Sequence, residues 1–300
     1  MTTSTEPPRI CDYEGSNYRT DFWEGKGRSY EDAVERGILR QWMPKHGKRI
    51  VEIGAAFGRL VNEYHAYEQV VLLDYSFSQL QYARQHLGDS RYLYVAANAY
   101  QLPFRRGTFD GVTMIRVLHH FERVPSALAQ IRNILAPHGQ FVLEFANKRN
   151  LKAMLRHRLG KQAWHPDELT PIEFVEMNFN FHPQYIAQEL TKAGFATTAR
   201  VPVSWLRVGA LKRALPLSAL AGMDSLLQRT GWLVSPSVFT RNVATPNPDI
   251  PDNTDLEGTQ LFVCPLTGGE LVREGDTLVN QNGVRWGIRD GIYDFKAPLA

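Results

Sequence analysis

Cysteine is almost missing from this 300-residue chain: Cys11 and Cys264 stand near opposite ends, with no spacing that suits a disulfide framework or a metal cluster. That scarcity fits a reducing compartment. Long apolar runs are missing as well, since no stretch reaches the roughly 18 residues that a bilayer span requires. The opening MTTSTEPPRI has no apolar core behind a basic start, so it predicts no secretory leader, a short disordered lead-in and, by default, a cytoplasmic address. An excess of one charge is also lacking: 34 Lys and Arg stand against 31 Asp and Glu, a net +3 that does not by itself argue for nucleic acid. What remains, 43% hydrophobic and 22% charged residues, is the composition of a soluble globular protein. The length suggests about two domains, one large and one small.

Residues 49–74, RIVEIGAAFGRLVNEYHAYEQVVLLD, predict a strand, a glycine-bearing turn, a helix and a second strand that closes on an acid. Gly54, Ala56 and Gly58 keep the turn small, so backbone and ligand can approach closely. Asp74, at the end of the second strand of a βαβ unit, is placed to accept hydrogen bonds from the two hydroxyls of a ribose. The unit therefore predicts an adenosine-like ligand. A dinucleotide needs G-x-G-x-x-G, and Ala56 and Arg59 break that pattern, which disfavours a nicotinamide oxidoreductase.

What stands is G-x-A-x-G behind Glu52, which resembles the first motif, E/D-x-G-x-G-x-G, of class I S-adenosylmethionine (SAM) methyltransferases of the type 11 kind. Ala56 departs from it. Two further blocks carry the resemblance. AANAYQLPFRRGTFD resembles the family's G-D-A followed by L-P-F and F-D, with Asn98 in place of the acid that bonds the adenine amino group. VLHHFERVPSALAQIRNILAPHGQFVLEF resembles the L-H-H and R-x-L-x-P-G-G segment, with His138 in place of the first paired glycine. The resemblance implies SAM as cofactor, held by Glu52, Gly54, Ala56, Gly58, Asp74, Tyr75, Asn98, Ala99 and Arg116. It also implies a cap before the first strand, for which Tyr18, Trp23, Arg28 and Tyr30 are candidates; Arg28 leads because the cofactor carries a carboxylate. Packing of an N-terminal helix is the alternative for each. Methyl transfer to an O, N or C nucleophile of a small molecule follows from the same resemblance. His119, His120 and Glu144 are candidate bases, with a structural role open for each.

Residues 148–158 hold Lys148, Arg149, Lys152, Arg156 and Arg158 without an acid, read either as a solvated face or as a clamp for an anionic acceptor. Nucleic acid ranks lower, because no aromatics are interleaved. Residues 172–183 predict an extended segment, 198–205 and 238–243 the last two strands, and 206–234 a helical insert split by Pro216, either a lid or core packing. Residues 245–258, with three prolines and four acids, predict an exposed linker.

The last segment, 259–300, resembles a small zinc-ribbon-like module that occurs as a partner subunit of some tRNA and protein methyltransferases. Only Cys264 of the expected ligands stands, with Thr267 and Asn280 near the other positions, so no metal is expected. A unit of this size without metal or disulfide is expected to dock on the large domain or on a second chain. The fold class expected is α/β, a Rossmann-like class I methyltransferase sheet with an antiparallel last strand plus a small β-rich C-terminal domain. The domains expected are a cap at 1–48, the methyltransferase at 49–244, the linker, and the C-terminal unit. The competing functional class is a SAM-binding or inactive interaction module that acts through its C-terminal domain.

Overall fold

Strand segments that are apolar on both faces are stable only in a sheet covered on both sides. The computed structural model, which describes residues 6–25 and 27–300, buries Ile50, Val51, Ile53 and residues 70–73 accordingly. They belong to β1 (Gly47–Ile53) and β2 (Tyr67–Asp74), which with β3 (Tyr92–Ala96), β4 (Phe109–Met114) and β5 (Leu135–Ala146) form a parallel array in the order β3-β2-β1-β4-β5. Side chains alternate between two cores. Ile50, Val70 and Leu72 share one with α1 (Ser29–Trp42) and α2 (Phe77–Leu87), whereas Val51, Ile53 and Val71 share the other with α3 (Val124–Ile134). The chain reverses direction across the sheet between β1 and β4, and a ligand crevice opens there at the carboxyl ends of the strands.

After β5 come α4 (Leu151–Arg158), a separate hairpin of β6 (Ile172–Val175) and β7 (Asn178–Asn180), and α5 (Pro183–Lys192). Then β8 (Phe195–Val203) and β9 (Ser237–Ala244) close the edge; β9 runs antiparallel to β5 and β8 antiparallel to β9, the antiparallel finish expected. Between them lie α6 (Gly209–Ala214) and α7 (Leu217–Gln228). Leu211, Leu215 and Leu220 pack into the α1 core, and buried Asp224 accepts the Tyr30 hydroxyl and the Trp205 N–H. The insert is thus a buttress on α1.

Two expectations fail here. No α-helix follows β1: Gly54, Ala56 and Gly58 all have positive φ (72°, 45° and 77°), which breaks the helical repeat, and only a single 3₁₀ turn, Val61–Tyr64, fits before β2. The 245–258 segment is not a free linker either. Ile250 is buried, the Asn253 N–H donates to Gly107 O (2.9 Å), and Arg49 Nη2 donates to Leu256 O (2.7 Å), which straps the segment to the sheet. The expected lead-in falls partly outside the described residues, but Arg9 is held by Glu122 (2.7 Å) and Glu173 (3.0 Å).

The last residues form β10 (Leu271–Glu274), β11 (Thr277–Asn280), β12 (Arg285–Arg289) and β13 (Ile292–Leu299). β13 pairs in parallel with β3, Ile292 against Tyr94 and Asp294 against Ala96, so one eleven-stranded sheet runs from β10 to β8. Phe262 sits between Phe104 (5.7 Å) and Tyr293 (4.7 Å), which makes the interior of the C-terminal unit continuous with the α3-side core. Cys264 is buried, and the Asn280 amide donates to Thr267 Oγ1 (3.1 Å), so hydrogen bonds hold these positions together. Among the described residues no cluster of three metal-binding side chains occurs. Treatment with a chelator is expected to leave the melting temperature unchanged, and metal analysis to find less than one zinc per chain.

Candidate functional site

Two cavities meet at the crevice. The first, about 100 Å³, is floored by Ile53, Gly54 and Ala56 from the turn after β1, and walled by Asp74, Tyr75, Asn98, Ala99 and Arg116. Seven of the expected cofactor residues therefore converge. Asp74 Oδ2 accepts the Ala56 N–H (2.7 Å) and Oδ1 accepts the Ser76 N–H (2.9 Å), which aims the carboxylate at the turn. Burial pushes its carboxyl up to about 6, with the Ser76 and Ala56 N–H groups opposing. Asn98 Oδ1 accepts the Tyr100 N–H (2.9 Å), so its amide also stabilises its own turn.

Glu52 and Gly58 do not line this cavity. Glu52 lies beneath the turn, where burial raises its carboxyl to about 8 and Arg59 opposes the shift; Oε2 has no hydrogen-bond partner among the described residues. Gly58 packs against Leu87 and Leu72. Gly54 is constrained by the protein itself: a Cβ there would stand 2.3 Å from Val117 Cγ2, at a φ of +72°. Gly54→Ala is accordingly expected to destabilise the fold by about 1–3 kcal/mol, the scale of overpacking, measured by urea denaturation.

The second cavity, about 620 Å³, shares Tyr13, Tyr18, Arg116 and His120 with the first and extends to Arg28, His119, Glu144, Lys152 and Arg207. All three expected bases, and Arg28, face it. His120 is engaged on both nitrogens: Nδ1 lies 2.8 Å from Met177 O, so it carries the proton and donates, and Nε2 lies 3.3 Å from the Tyr13 hydroxyl. It thus bridges the N-terminal segment at Tyr13 and the β6–β7 turn at Met177. Glu144 Oε2 accepts the Arg116 N–H (2.9 Å). His119, its ring 4.0 Å from that of His120, has no hydrogen bond among the described residues. Burial, then His120, Arg116, Arg207 and Arg28, hold it far below the ordinary histidine range, so it is neutral at neutral pH and a weak proton acceptor.

The N-terminal segment closes over both cavities. Glu14 accepts the Phe77 N–H (2.6 Å) and Ser78 N–H (3.1 Å) at the start of α2, and Lys296 Nζ of β13 stands 3.6 Å from Glu14 and 5.2 Å from the Tyr75 ring. Trp23 lies under Arg59 (3.7 Å), Arg116 (5.4 Å) and Arg28 (5.5 Å). Of the four cap candidates, Tyr18 and Arg28 line the second cavity, Trp23 stands behind it against Arg28 and Arg116, and Tyr30 is buried against Asp224. The expected clamp after β5 is dismantled. Lys148 is buried, with Nζ donating to Glu168 O (2.9 Å) and Thr170 O (2.7 Å), and Arg149 pairs with Asp167 (2.5 Å); only Lys152 reaches the cavity. Arg207, which sequence reasoning passed over, lines the same cavity. No local signal marks it, because only the insert's docking turns it inward.

Residues 51–143 match the family described as Methyltransferase domain. The match marks a methyltransferase domain within the chain. Over 139 residues it is 33% identical to the ubiquinone/menaquinone biosynthesis C-methyltransferase UbiE of Teredinibacter turnerae, covering 40% of this chain and 55% of that protein. The UbiE of Stutzerimonas stutzeri is 31% identical over 136 residues, 40% of this chain and 53% of that one. The chain spans about half the length of the curated relatives it matches. Among solved structures, the methyltransferase fold is shared with a chain of the complex between the Haloferax volcanii Trm112 methyltransferase activator and a candidate methyltransferase (TM-score 0.54, 15% identity, 77% of this chain and 98% of that one). It is shared too with a SAM-dependent methyltransferase of Mesorhizobium loti (TM-score 0.51, 19% identity, 71% and 99%). No helix among the described residues is long and apolar enough to cross a membrane.

Proposed function

We propose that this protein transfers the methyl group of SAM to an O, N or C nucleophile of a small acceptor that carries an anionic group and lies in the second cavity. The observation that carries this reading is the convergence of Arg28, Arg116 and Arg207 on a cavity that shares a wall with the adenosine-type pocket. The donor set fits the cofactor: Asp74 offers a carboxylate for a ribose diol, Asn98 and Ala99 an edge for a base, and Arg28 and Arg116 cations for a carboxylate. SAM, when bound, supplies an electrophilic methyl group. Arg207 and Lys152, farther along the cavity, orient the acceptor's anion, and Glu144 fixes the Arg116 backbone. His119 takes up the acceptor's proton on a ring nitrogen where the acceptor must lose one; approach and alignment provide most of the rate otherwise.

The UbiE relatives are named as C-methyltransferases of quinone biosynthesis, but they match only 40% of this chain, and the family match at 51–143 lies in the cofactor half, so together they support the cofactor more than the acceptor. Two free thiols support a reducing, cytoplasmic setting. The unit at 259–300 is read as a zinc-ribbon-like module whose ligands are replaced, docked in cis. Its resemblance to a partner subunit and the activator in the Haloferax complex support a role in holding α2 and the N-terminal segment over the cofactor through Lys296 and Glu14.

A labelled-methyl screen of anionic small molecules identifies the acceptor. With it in hand, Arg207→Glu combined with Lys152→Glu is expected to raise its KM at least about tenfold, the scale of a lost charge-assisted contact, with SAM affinity nearly intact. Added salt is expected to act in the same direction. Acceptor kinetics indifferent to both would remove the anionic acceptor from the account.

A further inference from the structure

α4 borders the mouth of the second cavity and is exposed to an unusual degree. Only Ala153 of its eight residues is buried, and it contains no acid. Leu151, Leu155 and, at the cap, Leu159 recur at i, i+4 and i+8, which places them on one stripe; they are 55%, 59% and 57% exposed. Single exposed leucines are ordinary, but an aligned row is an interaction surface. Lys152, Arg156 and Arg158 flank the row, exposed, and among the described residues none is in an ion pair or a side-chain hydrogen bond. The apolar surface continues onto Phe174 and Val208, which with Leu151 and Lys152 also line the cavity.

We propose that this face docks on the surface of an anionic phospholipid bilayer, with the leucine row in the headgroup boundary and the cations against lipid phosphates. A bilayer is favoured over a protein partner because unpaired cations flank the apolar row and carry no acid between them, the pattern of a helix lying in an interface. The continuity of this face with the cavity puts the cavity mouth at the membrane. Joined to methyl transfer, on which this last step rests, it makes the acceptor an amphiphile presented from the bilayer.

The test is co-sedimentation of the full chain with vesicles, without SAM or acceptor, so that it can fail independently of methyl transfer. Intact protein is expected to sediment with vesicles of equal parts phosphatidylglycerol and phosphatidylcholine, and far less with phosphatidylcholine alone. Leu155→Asp with Leu159→Asp is expected to abolish binding, and Arg156→Glu with Arg158→Glu to lower it at least about fivefold per charge. An unchanged melting temperature and far-ultraviolet circular dichroism verify that each variant is folded. Equal binding to both vesicle types, no binding at all, or self-association of the intact chain that the two aspartates disrupt would each overturn the proposal; the last would make the face an interface between copies.

Discussion

Replacement of Arg116 by alanine is expected to remove about 3 kcal/mol of folding stability or more, the scale on which a buried ion pair loses one partner. Arg116 Nε donates to Glu35 at 2.5 Å, and Glu35, 1% exposed, also accepts from Arg59 at 2.7 Å. Burial on its own would raise the Glu35 carboxyl, but the guanidiniums of Arg116 and Arg59 outweigh it and hold the group below its ordinary 4.5. A depressed carboxylate contributes stability above its unfolded pKa and loses it as pH falls through the lower folded value. The variant should therefore show a weaker dependence on acid in that window. Urea denaturation at neutral and acid pH measures both. A loss below about 1 kcal/mol would mean that Arg59 alone compensates the buried charge.

Asp74→Asn is expected to weaken SAM binding by about 1–3 kcal/mol, because a charge-assisted acceptor becomes a neutral one of the same shape. The amide oxygen can still accept one of the Ala56 and Ser76 N–H groups, so most of the turn should survive. The pH dependence adds a second readout. With its carboxyl raised to about 6 from 3.8, Asp74 contributes to stability fully below 3.8, and that contribution is lost as pH rises through about 6. Cofactor binding runs the opposite way, since only the ionised form is the strong acceptor: affinity should fall as pH drops through about 6 in the native protein and stay flat there in the variant.

Much of this was legible in the sequence because its causes are local. The second strand closes on Asp74 as expected, and Gly54 with Asp74 frames the first cavity. Boundaries set by pairing were read less well: β8 begins at Phe195, before the expected residue 198, and ends at Val203, before the expected 205. The missing helix after β1 reflects three left-handed residues, one of them Ala56, whose φ no composition rule indicates. The basic run at 148–158 was legible as charge but not as geometry, because the partners of Lys148 and Arg149 lie in the loop before β6. Arg207 and the N-terminal Tyr13 escaped notice for the same reason, since each reaches the site only through contacts distant in sequence.

The central claim, that the crevice after β1 and β2 binds SAM, is tested most directly by isothermal titration calorimetry of the intact chain with SAM at neutral pH. The account predicts one site per chain, weakened in Asp74→Asn. No heat of binding, or binding that the substitution leaves unaltered, would contradict it.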